Sequence, residues 1–149
     1  MQPTDINKLI QSRRAIFPKT YNNQPISREL IEQVLENANW APTHRFTEPW
    51  RFKVFHSENA RNLLGNYLAD LYQSITSKEK FKETKHKKQL ENPQRSGCVL
   101  AICMQRDPEE RVPEWEEVAA MSIAVQNMWL TCAANNIGAY WSSAKLLQE

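Results

Sequence analysis

Glycine is scarce in this chain, with only three in 149 residues and none in a GxGxxG or GxxxxGK arrangement. That excludes a glycine-rich loop wrapped around a nucleotide phosphate. Cysteine is equally scarce. Cys98, Cys103 and Cys132 are odd in number and lie without close partners in apolar stretches. This argues against a disulfide framework and for a reducing compartment, the cytoplasm. His44, His56 and His86 are scattered, with no cysteine at ligand spacing, so no protein metal site is expected. The net charge of +2 is too small to imply a nucleic-acid or membrane partner by itself. No apolar run reaches the roughly 20 residues of a membrane span. The opening "MQPTDINKLI" lacks the basic start and continuous apolar core of a signal peptide.

What remains is the balance of a soluble globular protein, 41% hydrophobic and 24% charged, at a length that suits a single domain over residues 1–149. "TDINKLIQSRR" predicts a short helix with Ile6, Leu9 and Ile10 on one face, ending near Arg13 and Arg14. "SRELIEQVLENANW" predicts a second, capped by Ser27, with Leu30, Ile31, Val34, Leu35 and Ala38 buried. "WRFKVF" alternates as a strand with Trp50, Phe52 and Val54 inward. Residues 58–73 read as a helix whose apolar set is Leu63, Leu64, Tyr67, Leu68 and Leu71. The lysine-rich "SKEKFKETKHKKQLE" reads as a solvated helix, or less readily as a flap over a site. Its lysines alternate with glutamates, which weakens a nucleic-acid reading. "GCVLAICM" predicts a central strand. "EWEEVAAMSIAVQNMWLTCAANN" predicts a long helix, apolar nearly all round in its second half and therefore buried on several sides, in a core or a subunit interface. Gly138 fits the turn after it, and "AYWSS" opens another strand-like segment. Helices come first, then strands and helices without regular alternation, which favours an α+β sheet flanked by helices over a doubly wound fold.

Three places could carry chemistry. Arg13 and Arg14 are either solvated cations at a helix C-terminus or a clamp for an anion, since arginine offers paired planar donors that match phosphate. In "NWAPTHRFTEPWRFKVF", packing accounts for Trp50 but poorly for His44 and Arg45, which follow Pro42 in a loop beside Trp40. In "YWSS", Trp141 offers a flat apolar surface while Ser142 and Ser143 offer hydroxyls and backbone donors. Cationic, aromatic and small polar groups at three separate points suit a planar, phosphorylated ligand, of which flavin mononucleotide (FMN) is one.

With "IQSRRA", "NWAPTHRFTEPWRFKVF" and "VPEWEEVAAMSIAVQNMWLTCAANNIGAYWSS" in this order and spacing, the sequence resembles the nitroreductase family of FMN-dependent NAD(P)H oxidoreductases, specifically the smaller bacterial type. The resemblance spans nearly the whole chain. It implies a nitroreductase-like α+β fold with a mixed or antiparallel sheet, and a homodimer with FMN in the cleft between subunits. Carried over, Arg13, Arg14 and Ala15 match the family's flavin-binding start. Trp40 and His44 match positions that reach the flavin from the other subunit, and Trp141, Ser142 and Ser143 match a later flavin-contacting segment. Thr131 to Asn136 match a stretch linked with nicotinamide nucleotide binding. Three departures stand out. Ala15 replaces a usual serine. Phe17 replaces a basic residue common near the flavin pyrimidine edge, with Lys19 as a substitute. The family's C-terminal segment, a strand and often a further basic residue, is not represented.

The implied reaction is ping-pong: NAD(P)H reduces the flavin and leaves, then a nitro compound, quinone or similar small acceptor takes the electrons. The cofactor performs the redox step, and no nucleophile–base pair suggests covalent catalysis. The rivals are a non-catalytic flavin-binding or interaction protein of the same fold and, more distantly, a nucleic-acid binder using the lysine-rich segment.

Overall fold

The computed structural model describes residues 3–143. Its elements are α1 (Pro3–Ser12), α2 (Arg28–Ala38), β1 (Trp50–Phe55), α3 (Glu58–Ile75), α4 (Glu83–Arg95), β2 (Val99–Met104) and α5 (Glu114–Ala134), with short 3-10 turns at Pro18–Thr20 and His44–Phe46. The two strands pair, and the Gln105 N–H donates to the Pro49 carbonyl at 2.8 Å, which sets the end of β2 opposite the start of β1 in an antiparallel ladder. The architecture is α+β, as expected. The chain forms two compact units. The first comprises the chain up to Ile16, Ile26–Lys53 and Ala101–Tyr140; the second comprises Phe17–Pro25, Val54–Leu100 and the chain from Trp141.

In the first unit α2 and α1 pack on α5. Helix α2 begins where expected, because the Ser27 hydroxyl accepts from the Leu30 N–H at 3.2 Å and satisfies one orphan donor of the first turn. Ile31, Val34 and Ala38 are buried, as their spacing predicts, while Leu30 and Leu35 are half-buried at the edges of that stripe. Trp50 is buried and its indole N–H donates to Asn39 Oδ1 at 2.8 Å, so its bulk enters the core without an orphaned polar group.

Helix α5 is not enclosed all round by its own chain. Glu117, Ala120, Met121, Ala124, Val125, Met128 and Thr131 form one buried stripe at helical spacing. Trp115, Val118 and Ile123 lie on an exposed face. The helix closes at Asn136. Asn136 takes φ 56°, its N–H bonds to the Ala133 carbonyl, and the Ile137 N–H reaches back to Cys132 at 2.9 Å. This is a Schellman closure, and asparagine adopts the left-handed conformation it needs. The apolar face of α1 is likewise open: Ile6 and Ile10 are exposed.

The loop into α5 is held by charge. Glu117 has no exposed side-chain surface; it accepts from Arg106 Nε and from the Asp107 N–H, both at 2.8 Å. Asp107 in turn receives a two-pronged contact from Arg111, at 2.8 and 3.0 Å. The Arg111 guanidinium holds the Asp107 carboxyl down at about 2, and Arg106 lowers that of Glu117.

In the second unit α3 and α4 form a helical hairpin. The buried positions of α3 are Gly65, Ala69 and Tyr72, whereas Leu63 and Tyr67 are exposed. The contact is set by the residue with no side chain, not by the largest ones: a Cβ on Gly65 would lie 2.5 Å from the backbone oxygen of Leu90 in α4. The Tyr72 hydroxyl accepts from the Lys82 N–H at 3.0 Å, and Phe81 packs between Tyr72 and His86, which closes the turn. The lysine-rich segment is a turn over 77–82 and a largely solvated helix only from Glu83, and Pro93 near the end of that helix is buried. Strand β2 is half-buried with Cys103 exposed, and β1 is its one strand partner among the described residues, so it lacks the central position expected of it. Val54, expected inward on β1, is exposed. No strand forms over residues 140–143, where "AYWSS" was expected to open one; its first residue, Ala139, makes only an isolated bridge.

Two outcomes follow from this packing. Gly65→Ala gains up to about 1 kcal/mol of helix propensity but forces backbone apart at a cost of about 1–3 kcal/mol, so urea denaturation should show a net loss of stability. Asp107 and Glu117 are more acidic folded than unfolded, so the folded state binds fewer protons once the pH drops below about 4. Their contribution is complete above that pH and is lost as the pH falls through about 2 for Asp107. The urea midpoint of the wild type should therefore fall more steeply between pH 5 and pH 2.5 than that of Asp107→Asn; parallel curves would contradict the assignment.

Candidate functional site

The paired arginines after α1 have different fates. The Arg14 guanidinium folds back onto its own helix end, donating to the carbonyls of Gln11 and, at 2.8 Å, Arg13. It serves there as a helix-terminating cation. Arg13 instead places its Cζ over the ring of Trp129 on α5, 4.3 Å from the centroid. Ala15 is exposed and forms a parallel bridge with Ala139, and the Ile16 N–H donates to the Ala139 carbonyl at 3.0 Å. The backbone after Arg13 is thereby tied to the segment that follows α5.

The second cluster sits between α2 and β1. Trp40 is 76% exposed and Phe46 86%. His44 Nδ1 lies 2.8 Å from Glu116 Oε2, at the start of α5. With Nδ1 donating to that carboxylate, Nε2 is the nitrogen left for another partner. Arg45, Phe46 and Glu48 all take positive φ, at 55°, 53° and 42°. Non-glycine residues rarely adopt this region, at a cost on the order of 1–3 kcal/mol each. This strained loop carries at its centre an aromatic ring turned to solvent.

Trp141, Ser142 and Ser143 are exposed and belong to the second unit. Within the first unit, then, Arg13 and Ala15 lie together on the segment bridged to Ala139, and His44 and Trp40 on a separate loop. Phe17 and Lys19 are also exposed, in the second unit. The Thr131–Asn136 stretch is divided. The Thr131 hydroxyl is committed to the core, donating to the Asn127 carbonyl and accepting from Asn37 Nδ2, each at 2.8 Å. Asn135 and Asn136 are exposed.

Two supporting residues were not singled out from sequence. Glu116 is one of three glutamates in the first turn of α5, where acidic residues are commonplace, and nothing local tells which reaches a histidine 72 positions away. Trp129 reads as one more core apolar residue. Cys132 is no hidden nucleophile: burial pushes its thiol up to about 11, so it stays protonated near neutrality. Among the described residues, no group of histidine, cysteine, aspartate and glutamate could hold a metal ion. No helix among them is long and apolar enough to cross a membrane.

Beside the α+β fold and these clusters, comparison with known proteins gives the family. The model of the nitroreductase family matches residues 10–148, and this chain belongs to that family. The Bacillus subtilis (strain 168) protein named "Putative NAD(P)H nitroreductase YfhC" is 33% identical, over 99% of this chain and 74% of its own. The crystal structure of a "Nitroreductase-like Family Protein" from Bacillus cereus superposes with a TM-score of 0.80 at 24% identity, covering 98% of this chain and 73% of that one. A "putative nitroreductase in complex with fmn" from Desulfovibrio desulfuricans superposes with a TM-score of 0.68, also at 24% identity, over 99% of this chain and 76% of that one. The chain thus spans about three quarters of the length of each of these relatives.

Alkylation at pH 8 distinguishes the thiols. Exposed Cys103 should react with iodoacetamide well before Cys132, whose thiolate fraction is suppressed by its pKa of about 11. Peptide mapping that found Cys132 labelled first would contradict the burial described.

Proposed function

We propose that this protein is an FMN-dependent NAD(P)H oxidoreductase that acts as a cytoplasmic homodimer, its span forming one nitroreductase-like domain. The observation that carries the reading is Arg13, a guanidinium held in place by an aromatic ring but engaged by no carboxylate among the described residues. It suits a phosphate ligand, because its planar donors match phosphate oxygens and its charge persists at any working pH. When bound, FMN supplies the redox chemistry, taking electrons from NAD(P)H and passing them to a nitro compound, quinone or similar small acceptor by a ping-pong sequence. The residues of the chain bind and orient. Arg13 holds the phosphate. Arg14 terminates α1 and fixes the backbone from which Arg13 projects. Ala15 contributes main chain only, since it lacks the serine hydroxyl. Trp141, Ser142 and Ser143 are further flavin contacts carried over from the resemblance alone.

Trp40 and His44 serve the flavin of the partner subunit. Their support is the geometry of α5: the anchors of the two clusters, Glu116 and Trp129, are separated by about 20 Å of helix at 1.5 Å per residue. The groups tied to them within one chain are thus directed to places far apart along that helix. A second chain brings a His44 cluster to an Arg13 cluster. The exposed Trp115, Val118 and Ile123 face of α5, with Trp40 and Phe46, supplies apolar surface of the kind that subunit contacts cover.

Denaturing the purified protein should release FMN rather than FAD. Two flavin-deficient variants, His44→Ala and Arg13→Ala, should complement when co-expressed, because a heterodimer then contains one site with both lesions and one with neither. The isolated heterodimer should hold roughly half the flavin of the wild-type dimer. A heterodimer as empty as each parent would place both residues in the same chain's site, and release of FAD would sink the cofactor assignment.

A further inference from the structure

Among the described residues, every arginine other than Arg13 and Arg45 donates to an oxygen of the protein. Arg45 is exposed on the strained loop. Arg13 differs: it is half-buried, and its Cζ sits 4.3 Å from the centroid of the Trp129 ring. An aromatic face attracts a guanidinium without consuming any of its N–H donors, so all five stay available to an incoming anion. A carboxylate in the same place would hold the side chain equally well but would occupy the donors and cancel the charge.

Trp129 itself is a poor choice for packing alone. Its indole N–H is buried with no hydrogen-bond partner among the described residues. A buried unpaired donor is unfavourable, and phenylalanine or leucine would fill apolar space there without one. What tryptophan offers in exchange is the aromatic face that binds cations best. The position of the ring follows from α5, whose neighbouring residues Ala124, Val125 and Met128 are locked in the core, so the platform is rigid.

We infer that Trp129 is a positioning residue for flavin phosphate: it holds the Arg13 guanidinium in a single place with its donors unspent, so that binding needs no reordering of a long side chain. The inference rests on the reading of Arg13 as the phosphate ligand. It concerns only the phosphate, so it separates FMN from riboflavin, which carries the same ring without the phosphate.

The test is the dissociation constant of the flavin-stripped full chain for FMN and for riboflavin, by quenching of flavin fluorescence, in wild type, Arg13→Ala, Trp129→Leu and Trp129→Phe. The preference for FMN over riboflavin should fall roughly 3- to 30-fold in Trp129→Leu, the range for losing a cation–aromatic contact. Riboflavin affinity should stay unchanged. Trp129→Phe should lie between wild type and Trp129→Leu, and adding Trp129→Leu to Arg13→Ala should lower the preference no further. Equal weakening of both ligands by Trp129→Leu would mean a merely structural role and overturn the inference. Tighter FMN binding would overturn it too, since the stack would then compete with the phosphate. If the leucine variant does not fold, the phenylalanine variant decides, and an FMN preference equal to that of wild type counts against the role. An Arg13→Ala variant with undiminished preference for FMN defeats the reading of Arg13 itself, whatever Trp129 does.

Discussion

The buried carboxylate of Glu117 is the constraint on which the first unit hangs. A charge with no exposed surface is costly unless its oxygens are taken up, and here one accepts from Arg106 and the other from the Asp107 N–H. Those two contacts fix where the loop from β2 meets the start of α5. They also fix the rotation of that helix about its axis. Successive helical residues point about 100° apart, so once Glu117 is pinned inward, Glu116 turns aside, where it meets His44. The same rotation carries Ala120, Ala124 and Met128 into the core and brings Trp129, next to Met128, under Arg13. One buried ion pair at the head of a helix thereby orients side chains of both candidate clusters.

The second unit is organised on the opposite principle. Its helices approach because Gly65 leaves room for the backbone of Leu90, and the aromatic trio Tyr72, Phe81 and His86 closes the turn. The contact of α3 with α4 is set by close backbone approach, and the lysines of α4 stay largely in water. Close backbone approach and buried ionic pinning are alternative ways to give a helix one register, and this protein uses one in each unit.

Local patterns were read well where local forces decide. Ser27 caps α2 because a hydroxyl three residues before an amide satisfies it, whatever lies elsewhere. The 3.6-residue stripe of Ile31, Val34 and Ala38 is buried for the same reason. Burial does not follow size in α3. Leu63 and Tyr67 are exposed while Gly65 is buried, because the closest contact of two helices excludes large side chains. At the end of α5, Asn136 takes the left-handed conformation that closes the helix. Ile6 and Ile10, read as sharing one face of α1, are exposed.

The candidate site divides the same way. Residue chemistry alone marked Arg13, Arg14, Trp40, His44, Arg45 and the Trp141–Ser143 segment as places where charge, flat surface and small donors recur; the order of those segments pointed to the nitroreductase family, and only that resemblance added Ala15. That is information carried along the chain, and the amino-acid sequence by itself determined it, together with helix starts and the α+β class. Which arginine keeps its donors, which glutamate meets His44, and which face of α5 stays open depend on groups tens of residues apart. Arg13 and Arg14 are chemically identical neighbours, yet one folds onto its own helix end and the other lies over Trp129. Only the tertiary structure decided between them, because the aromatic ring that makes the difference lies more than a hundred residues further along the chain and is brought there by the packing of α1 on α5.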